Sequence, residues 1–438
     1  MIIKFGTDGI RGPVESKITP EVCLRIGHAS GIVLREMGWE TVLIGKDTRV
    51  SGYMLESALQ AGFIAAGVNV RLLGPLPTPG VAYLTRSLRN QFGLVISASH
   101  NNYLDNGIKL FAGSGEKISK DAEKKIEKLL AGDLKSVKTA DLGKAQRFDE
   151  SGDRYIEFCK STVPPDVSFE SLRIVLDCAN GACYKVSPSI LRELGAEVIS
   201  IGTEPDGYNI NYECGSTYPE KVQEEVIKQR ADFGVALDGD GDRVVLIDRK
   251  GNILDGDDIM YILAYANPNR TGPWSGIVGT AMTNLGFEEG VKKLGYKFKR
   301  ADVGDKYVSE MLQKEGWMLG GEPSGHIICR DLVSTGDGTI AALKVISSLL
   351  ILEKDPDEIL RNYTKIPQIN INVEVKNKDI ISDSDIQKKI KEIESDLTVG
   401  RVLVRPSGTE SKIRVMVESD DEITATKYAR DIAAMFKK

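Results

Sequence analysis

The sequence predicts an α/β protein of four units: three mixed-sheet α/β domains of related topology and a smaller C-terminal α+β domain, set around a central cleft. Three observations carry this. The chain has 438 residues, too many for one undivided core when a domain takes roughly 150. Short runs rich in Val, Ile and Leu alternate with longer segments of helical period, as βα units around a mostly parallel sheet require. After Pro367 the pattern changes, and Ile369, Ile371, Val373 and Val375 stand at alternate positions, the mark of a half-exposed strand of antiparallel character.

In chain order, the first set places helices at 20–37 and 53–66 between strands at 41–45, 68–73 and 93–97. A helix at 151–161 follows, and the Pro164-Pro165 pair within 162–167 marks a linker. The second set has strands at 172–177, 197–201 and 233–237, and Arg249 to Asn252 form a hairpin-like turn ahead of a new helix. The third has strands at 276–280, 297–301 and 317–319. The apolar stretch Thr339 to Leu352 is broken by Lys344 and two serines and falls short of the ~20 residues of a membrane span, so it reads as a buried helix. These breaks divide the chain at 1–155, 156–252, 253–365 and 366–438. The last strand of each set runs straight into a polar, glycine-bearing loop, at 97–102, 238–243 and 320–326. Open α/β sheets bind ligands outside the carboxyl ends of their strands, so the three loops are expected to face one cleft.

Composition narrows the function. Hydrophobic residues at 41% and charged residues at 27% are those of an ordinary soluble domain, which excludes wholesale disorder. Lys and Arg number 57 against 63 Asp and Glu, a net charge of -6, so no basic surplus exists to neutralise a nucleic-acid backbone. The first residues carry no basic stretch followed by an apolar run, so no export signal is expected. The six cysteines (Cys23, Cys159, Cys178, Cys183, Cys214, Cys329) form no C-x-x-C pair and read as reduced packing thiols of a cytoplasmic protein.

Asp238-Gly-Asp-Gly-Asp-Arg243 sets three carboxylates at alternate positions, where the glycines let the backbone turn and the side chains converge. Converging carboxylates repel unless a hard cation sits among them, and Mg2+ is the natural occupant. A calcium EF-hand is excluded, since eleven residues beyond Asp238 stands Arg249 in place of the required Glu. Ile96 to Asn102 ends a buried strand with hydroxyls, an imidazole and an amide, a nucleophile loop around Ser99. It lacks a G-x-S-x-G elbow, and His100 is too near in sequence to be an oriented base, so a hydrolytic triad is disfavoured. Arg405 to Lys412, with Arg414 beyond, combines hydroxyls, a glycine and cations after the strand 402–404, the equipment of a phosphate site. Gly320 to His326 offers Glu322 and Ser324 for the vicinal hydroxyls of a sugar. His28 sits in a helical pattern and reads as a packed or surface residue.

Taken together, Phe5 to Gly12, Gly45 to Gly52, Ser97 to Asn102, Asp177 to Ala182, Asp238 to Arg243, Gly321 to His326 and Arg405 to Glu410 resemble the ordered motif set of the alpha-D-phosphohexomutases over nearly the whole chain. Residues 301–308, 334–339 and 414–418 resemble the amino-sugar branch of that family more than the branches acting on mannose or glucose phosphates, which stand as the alternative. The resemblance implies a mutase interconverting glucosamine 6-phosphate and glucosamine 1-phosphate through a phosphoserine at Ser99 and a 1,6-bisphosphate. It implies Mg2+ on Ser99, Asp238, Asp240 and Asp242, and a hexosamine 1,6-bisphosphate as activator. His100 and Lys109 become candidates for proton transfer and Arg11 a support for the phosphoserine; a lysine following a strand is otherwise more often solvated. Thr7, Arg243, Gly304, Asp305, Glu322, Ser324 and His326 would contact the sugar phosphate, and Arg405, Ser407, Gly408, Thr409 and Arg414 the phosphate that is not reacting. The partner is then a small phosphosugar, with neither nucleic acid nor membrane, and the protein a monomer or homodimer. Two departures are visible: Asn102 and Ser411 stand where the family usually has proline. A phosphatase using Asp238 and Asp240 would need a separate downstream lysine motif, and a silent sensor would not keep Ser99 and three aspartates intact.

Overall fold

The computed structural model describes residues 3–6, 8–89, 91–407 and 411–436. The first sheet has six strands in the order Ile10–Pro13, Asp105–Phe111, Gln91–Ile96, Thr41–Lys46, Asn69–Pro75, Ala145–Arg147. The second runs Ile253–Leu254, Val244–Asp248, Phe233–Leu237, Arg173–Asp177, Glu197–Ile201, and the third Lys297–Ala301, Gly276–Thr280, Leu319–Gly321, Ile327–Cys329. One four-strand unit recurs in all three. Two parallel strands are laid down, a third returns beside the first, and a fourth folds back antiparallel on the third. The turn between third and fourth strand sits at a carboxyl end, and it holds Ser97 to Asn102, Asp238 to Arg243, or Glu322 to His326.

The sequence reading identified the first three strands of each set and missed the fourth. Asp105–Phe111 opens Asp-Asn-Gly, the composition of a turn, yet it pairs with strands on both sides. The third strand of the third sheet is Leu319–Gly321 instead of 317–319. Trp317 is still closing the preceding helix, its N–H donating to Leu312 O at 3.0 Å after Gly316 has turned left-handed at φ 69°. Helix Ser151–Ser161 runs through residue 155, and strand Ile253–Leu254 pairs with Val244–Asp248 of the second sheet. A division at 155/156 thus falls inside a helix, and residues 253–254 belong to the second sheet.

One core cluster joins side chains of the first three units, from Leu43 and Phe111 through Leu176 and Leu237 to Ile346. The fourth unit has its own, around Val373, Val415 and Ile432, beneath a three-stranded antiparallel sheet of Gln368–Glu374, Lys412–Ser419 and Gly400–Pro406. Three units thus share a core and the fourth, with a core of its own, is joined to them. The junction is polar: Arg401 donates to the carbonyls of Ala281 and Thr283 at 2.6 and 2.7 Å, and Asn284 Nδ2 to Ile366 O at 2.8 Å. Helix Gly338–Leu352 is largely buried, as its composition predicted. His28 is packed, its Nε2 2.9 Å from Lys135 O. Among the described residues, no helix is long and apolar enough to cross a membrane.

Candidate active site

The first loop leaves the buried strand Gln91–Ile96 and turns at Ser99, which is fully buried with a left-handed φ of 53°. A serine keeps such a backbone only where its surroundings over-determine it. Ser99 Oγ donates to Asp238 Oδ2 at 2.6 Å and lies 3.4 Å from His100 Nδ1. Its N–H donates to Ser97 Oγ at 2.9 Å, and that hydroxyl donates to Asp47 Oδ2 at 2.6 Å. Asn102 is held without a pyrrolidine ring: its Oδ1 accepts from Leu104 N at 3.0 Å and its carbonyl from Arg49 Nη1 at 2.6 Å. At the other departure, Ser411 O accepts the Val375 N–H at 3.0 Å.

The second loop brings Asp238, Asp240 and Asp242 together, all buried, with ligating oxygens within 4.8 Å of one another. Asp240 Oδ1 and Asp242 Oδ1 accept no hydrogen bond. Buried carboxylate oxygens left without donors at this spacing fit a hard divalent cation. Lys109 Nζ reaches the same group from the first unit, 2.6 Å from Asp240 Oδ2 and 2.9 Å from Asp242 Oδ2. Thr78 Oγ1 also donates to Asp240 Oδ2 at 2.6 Å, so two units share the metal loop. Burial, then the charges of Asp242 and Asp240, push the Asp238 carboxyl well above the carboxylate range. Burial acts the same way on Asp242, but Lys109, His326 and Arg243 outweigh it and hold that carboxyl well below. For Lys109, burial opposes the charge and loses to Asp240 and Asp242, so the ammonium stays protonated. Burial, with Arg243 and Arg11 nearby, drops His100 to about 3, leaving it neutral.

In the third loop Glu322 Oε1 accepts the Gly304 N–H at 3.0 Å, and burial raises its carboxyl against the pull of His326 and Arg243. Ser324 lies exposed at the loop tip. His326 is 2% exposed, neither ring nitrogen makes a hydrogen bond, and its Nε2 lies 3.6 Å from Asp305 Oδ2. Asp305 also takes Lys117 Nζ at 2.6 Å, which ties the third unit to the first. Arg11 Nε and Arg243 Nε are buried and donate to nothing, while the Arg243 N–H donates to Asp238 Oδ1 at 3.2 Å. In the fourth unit Arg405 and Arg414 stand directly opposite on adjacent strands. Like charges so placed repel, and an anion between them relieves it. Burial, then Arg414, lowers Arg405, and the Glu322 carboxylate acts against them. Ser407 is buried beside it, its carbonyl accepting Lys378 Nζ at 2.6 Å. Thr7, Gly408 and Thr409 lie outside the described residues.

Lys109 lies within the strand Asp105–Phe111 and not after one, and at 3% exposed it is not the solvated lysine that such a position more often holds. Sequence reasoning gave no role to Asp47, Arg49, Thr78, Lys117 or Asn211. Two of these stand in the Gly45 to Gly52 motif, and a charge pair two residues apart after a buried strand was the available signal.

Models of four protein families match in succession: Phosphoglucomutase/phosphomannomutase alpha/beta/alpha domain I over residues 3–136, domain II over 153–251, domain III over 255–366 and the C-terminal domain over 370–435. A phosphoglucosamine mutase of Cellvibrio japonicus is 51% identical over 436 residues, 98% of each chain. One of Chromobacterium violaceum is 51% identical over 439 residues, 99% of this chain and 98% of its own. Among solved structures, a phosphoglucomutase/phosphomannomutase family protein of Burkholderia thailandensis has a TM-score of 0.83 at 24% identity, covering 99% of this chain and 96% of its own. An Aspergillus fumigatus N-acetylphosphoglucosamine mutase, solved with GlcNAc-6P and magnesium, has a TM-score of 0.72 at 20% identity, covering 99% and 95%. At these identities the two structures show the fold.

Proposed function

This chain belongs to the phosphoglucomutase/phosphomannomutase family, and from that premise we propose that it interconverts glucosamine 6-phosphate and glucosamine 1-phosphate through a phosphorylated Ser99. The observation that carries the mechanism is Ser99 Oγ, held 2.6 Å from Asp238 Oδ2 where three carboxylates and a buried ammonium meet. The amino-sugar preference rests on the two phosphoglucosamine mutases, each 51% identical over almost the whole chain.

Phosphoryl transfer asks a protein mainly for positioning and charge stabilisation. In the first half-reaction the Oγ–P bond of phosphorylated Ser99 breaks as a bond forms from O1 of the 6-phosphosugar to phosphorus, and the O1 proton passes to a neighbouring base. The product is the 1,6-bisphosphate, which turns around in the cleft. Ser99 Oγ then takes the 6-phosphoryl group, O6 regains a proton, and the 1-phosphate leaves. Added bisphosphate phosphorylates Ser99 and so acts as activator.

Each cluster has one task. Asp238, Asp240 and Asp242, with Ser99, would hold Mg2+, which when bound supplies charge neutralisation for the transferring group. Lys109, held at Asp240 and Asp242, stabilises the phosphoryl oxygens and stands with His100 as a candidate for proton transfer. His100 is neutral and beside Oγ, and a phosphoserine of about -2 charge strengthens it as proton acceptor. Arg11 and Arg243 offer unpartnered guanidinium donors to that phosphoryl group. Glu322 and Ser324 hold sugar hydroxyls, with Gly304, Asp305 and His326 shaping their side of the cleft. Arg405, Ser407, Gly408, Thr409 and Arg414 grip the phosphate not in transit, and Thr7 contacts the sugar phosphate with Arg243. The six buried free thiols suit a reducing compartment, and we place the enzyme in the cytoplasm as a monomer or homodimer.

Competition among glucosamine, glucose and mannose 6-phosphates, each followed to its 1-phosphate, tests the substrate. We expect the amino sugar to lead in kcat/KM by tenfold or more, the value of one charge-assisted hydrogen bond of ~1.5 to 3 kcal/mol. Equal or higher efficiency with glucose or mannose phosphate overturns the preference and leaves the Ser99 chemistry standing.

A further inference from the structure

Arg49 is the largest fully buried side chain among the described residues. A guanidinium out of water is tolerable only when its charge is neutralised and its donors are used. Asp47 Oδ2 neutralises it, accepting Nε at 2.9 Å. The remaining donors go to one loop, apart from a long contact of Nη1 with Asp105 O at 3.5 Å, where the next strand begins. Nη2 donates to the carbonyls of Ser99 and Asn101, both at 2.9 Å, and Nη1 to those of Asn101 and Asn102 at 3.1 and 2.6 Å. No substrate or solvent is served; the charge exists to collect carbonyl oxygens that a tight turn forces together.

The second unit meets the same oxygens. Asn211 Nδ2 donates to Ser99 O at 2.8 Å and to Asn101 O at 2.9 Å. Gly239, inside the metal loop, passes so near that a Cβ there would lie 2.7 Å from Ser99 O. Asp47 closes the circuit on the amide side, through Ser97 Oγ to the Ser99 N–H. Ser99 has its left-handed φ, and so its Oγ direction, because both its peptide groups are fixed from outside the loop.

We propose that Arg49, buttressed by Asp47, and Asn211 are positioning residues: a two-sided carbonyl clamp that keeps Ser99 Oγ on Asp238 and in line for phosphoryl transfer. The proposal rests on the reading of Ser99 as phosphoryl carrier. Arg49 and Asp47 are closed off from the cleft and Asn211 spends its amide donor on the loop carbonyls, so the clamp acts on kcat through Ser99 and leaves phosphosugar binding alone.

Arg49→Lys keeps a charge opposite Asp47 but replaces the planar fork by a single point donor. Near-attack geometry lost by about 1 Å costs on the order of a hundredfold, so kcat should fall by roughly that factor with KM nearly unchanged. Asn211→Asp is the variant expected to fold normally, because it keeps the shape and tolerates the left-handed φ of 57° at that position while turning a donor into an acceptor. Its kcat should fall on the order of tenfold with KM nearly unchanged, while the loss of two hydrogen bonds lowers the melting temperature by only a few degrees. Stoichiometry of phosphate on Ser99 after incubation with glucose 1,6-bisphosphate, by intact mass, should fall in both. A wild type without turnover would sink the reading of the reaction; turnover in wild type with kcat unchanged in both variants, or a loss confined to KM, would overturn the clamp.

Discussion

Replacing Lys109 by methionine keeps the length and bulk of the side chain and removes its charge. Lys109 Nζ lies 2.6 Å from Asp240 Oδ2 and 2.9 Å from Asp242 Oδ2, with all three side chains at most 6% exposed. Removing one partner of such a group leaves uncompensated buried charge, at ~3 to 5 kcal/mol. In a domain-sized unit, where 1 kcal/mol shifts the midpoint by ~2 to 4 °C, this is roughly ten degrees of melting temperature. The penalty should depend on cations. Asp238, Asp240 and Asp242 attract a divalent ion more strongly once the ammonium is gone, and each tenfold tightening returns about 1.4 kcal/mol. We expect the full deficit of Lys109→Met in chelator and less than half of it in millimolar Mg2+, with turnover lost in both. Differential scanning calorimetry of wild type and variant in both buffers is the assay. An identical deficit with and without Mg2+ would refute the idea that Lys109 and the metal share one set of carboxylates.

Chelator alone should stop wild-type turnover and Mg2+ should restore it, measured as 1-phosphate produced; unchanged activity after verified metal removal contradicts the site. Asp337 accepts Tyr155 Oη at 2.9 Å and caps helix Gly338–Leu352, and burial raises its carboxyl from 3.8 to about 7. Between those values the folded chain holds a proton the unfolded chain lacks, so stability from this group is present below about 4 and lost as pH rises to about 7. About three units at 1.36 kcal/mol each is on the order of 4 kcal/mol; Asp337→Asn should lose that slope in melting curves against pH, and an unaltered slope assigns it elsewhere. Substrate at saturation should draw the fourth unit inward, because its phosphate loop lies at the opposite end of strand Gly400–Pro406 from the Arg401 contacts; identical scattering curves with and without ligand count against closure.

The parallel strands were legible because runs such as Ile174 to Leu176 or Ile277 to Val278 are apolar on both faces, as strands covered by helices must be. The antiparallel returns were not, since Asp105-Asn-Gly has turn chemistry and becomes a strand only when Gln91–Ile96 and Ile10–Pro13 supply partners. The chemistry-bearing loops were legible from residue type, and the fold puts three of them between the third and fourth strands of their units and the last between Gly400–Pro406 and Lys412–Ser419. What the sequence withheld is pairing at a distance. Lys109 meets Asp240 across 131 positions, and Arg49 meets the Ser99 carbonyl across 50. Tyr155 and Asp337 are 182 apart. No periodicity carries such contacts, and a lone Lys or Arg near a strand end looks the same whether buried or solvated.

The central claim is that Ser99 carries the phosphoryl group, and intact-mass measurement tests it most directly. Wild-type protein incubated with glucose 1,6-bisphosphate and Mg2+ should gain one phosphoryl group, mapped to the peptide containing Ser99 and discharged by glucosamine 6-phosphate. Ser99→Ala should gain none and turn over no substrate. Phosphate on another residue, or full turnover by Ser99→Ala, would contradict the mechanism.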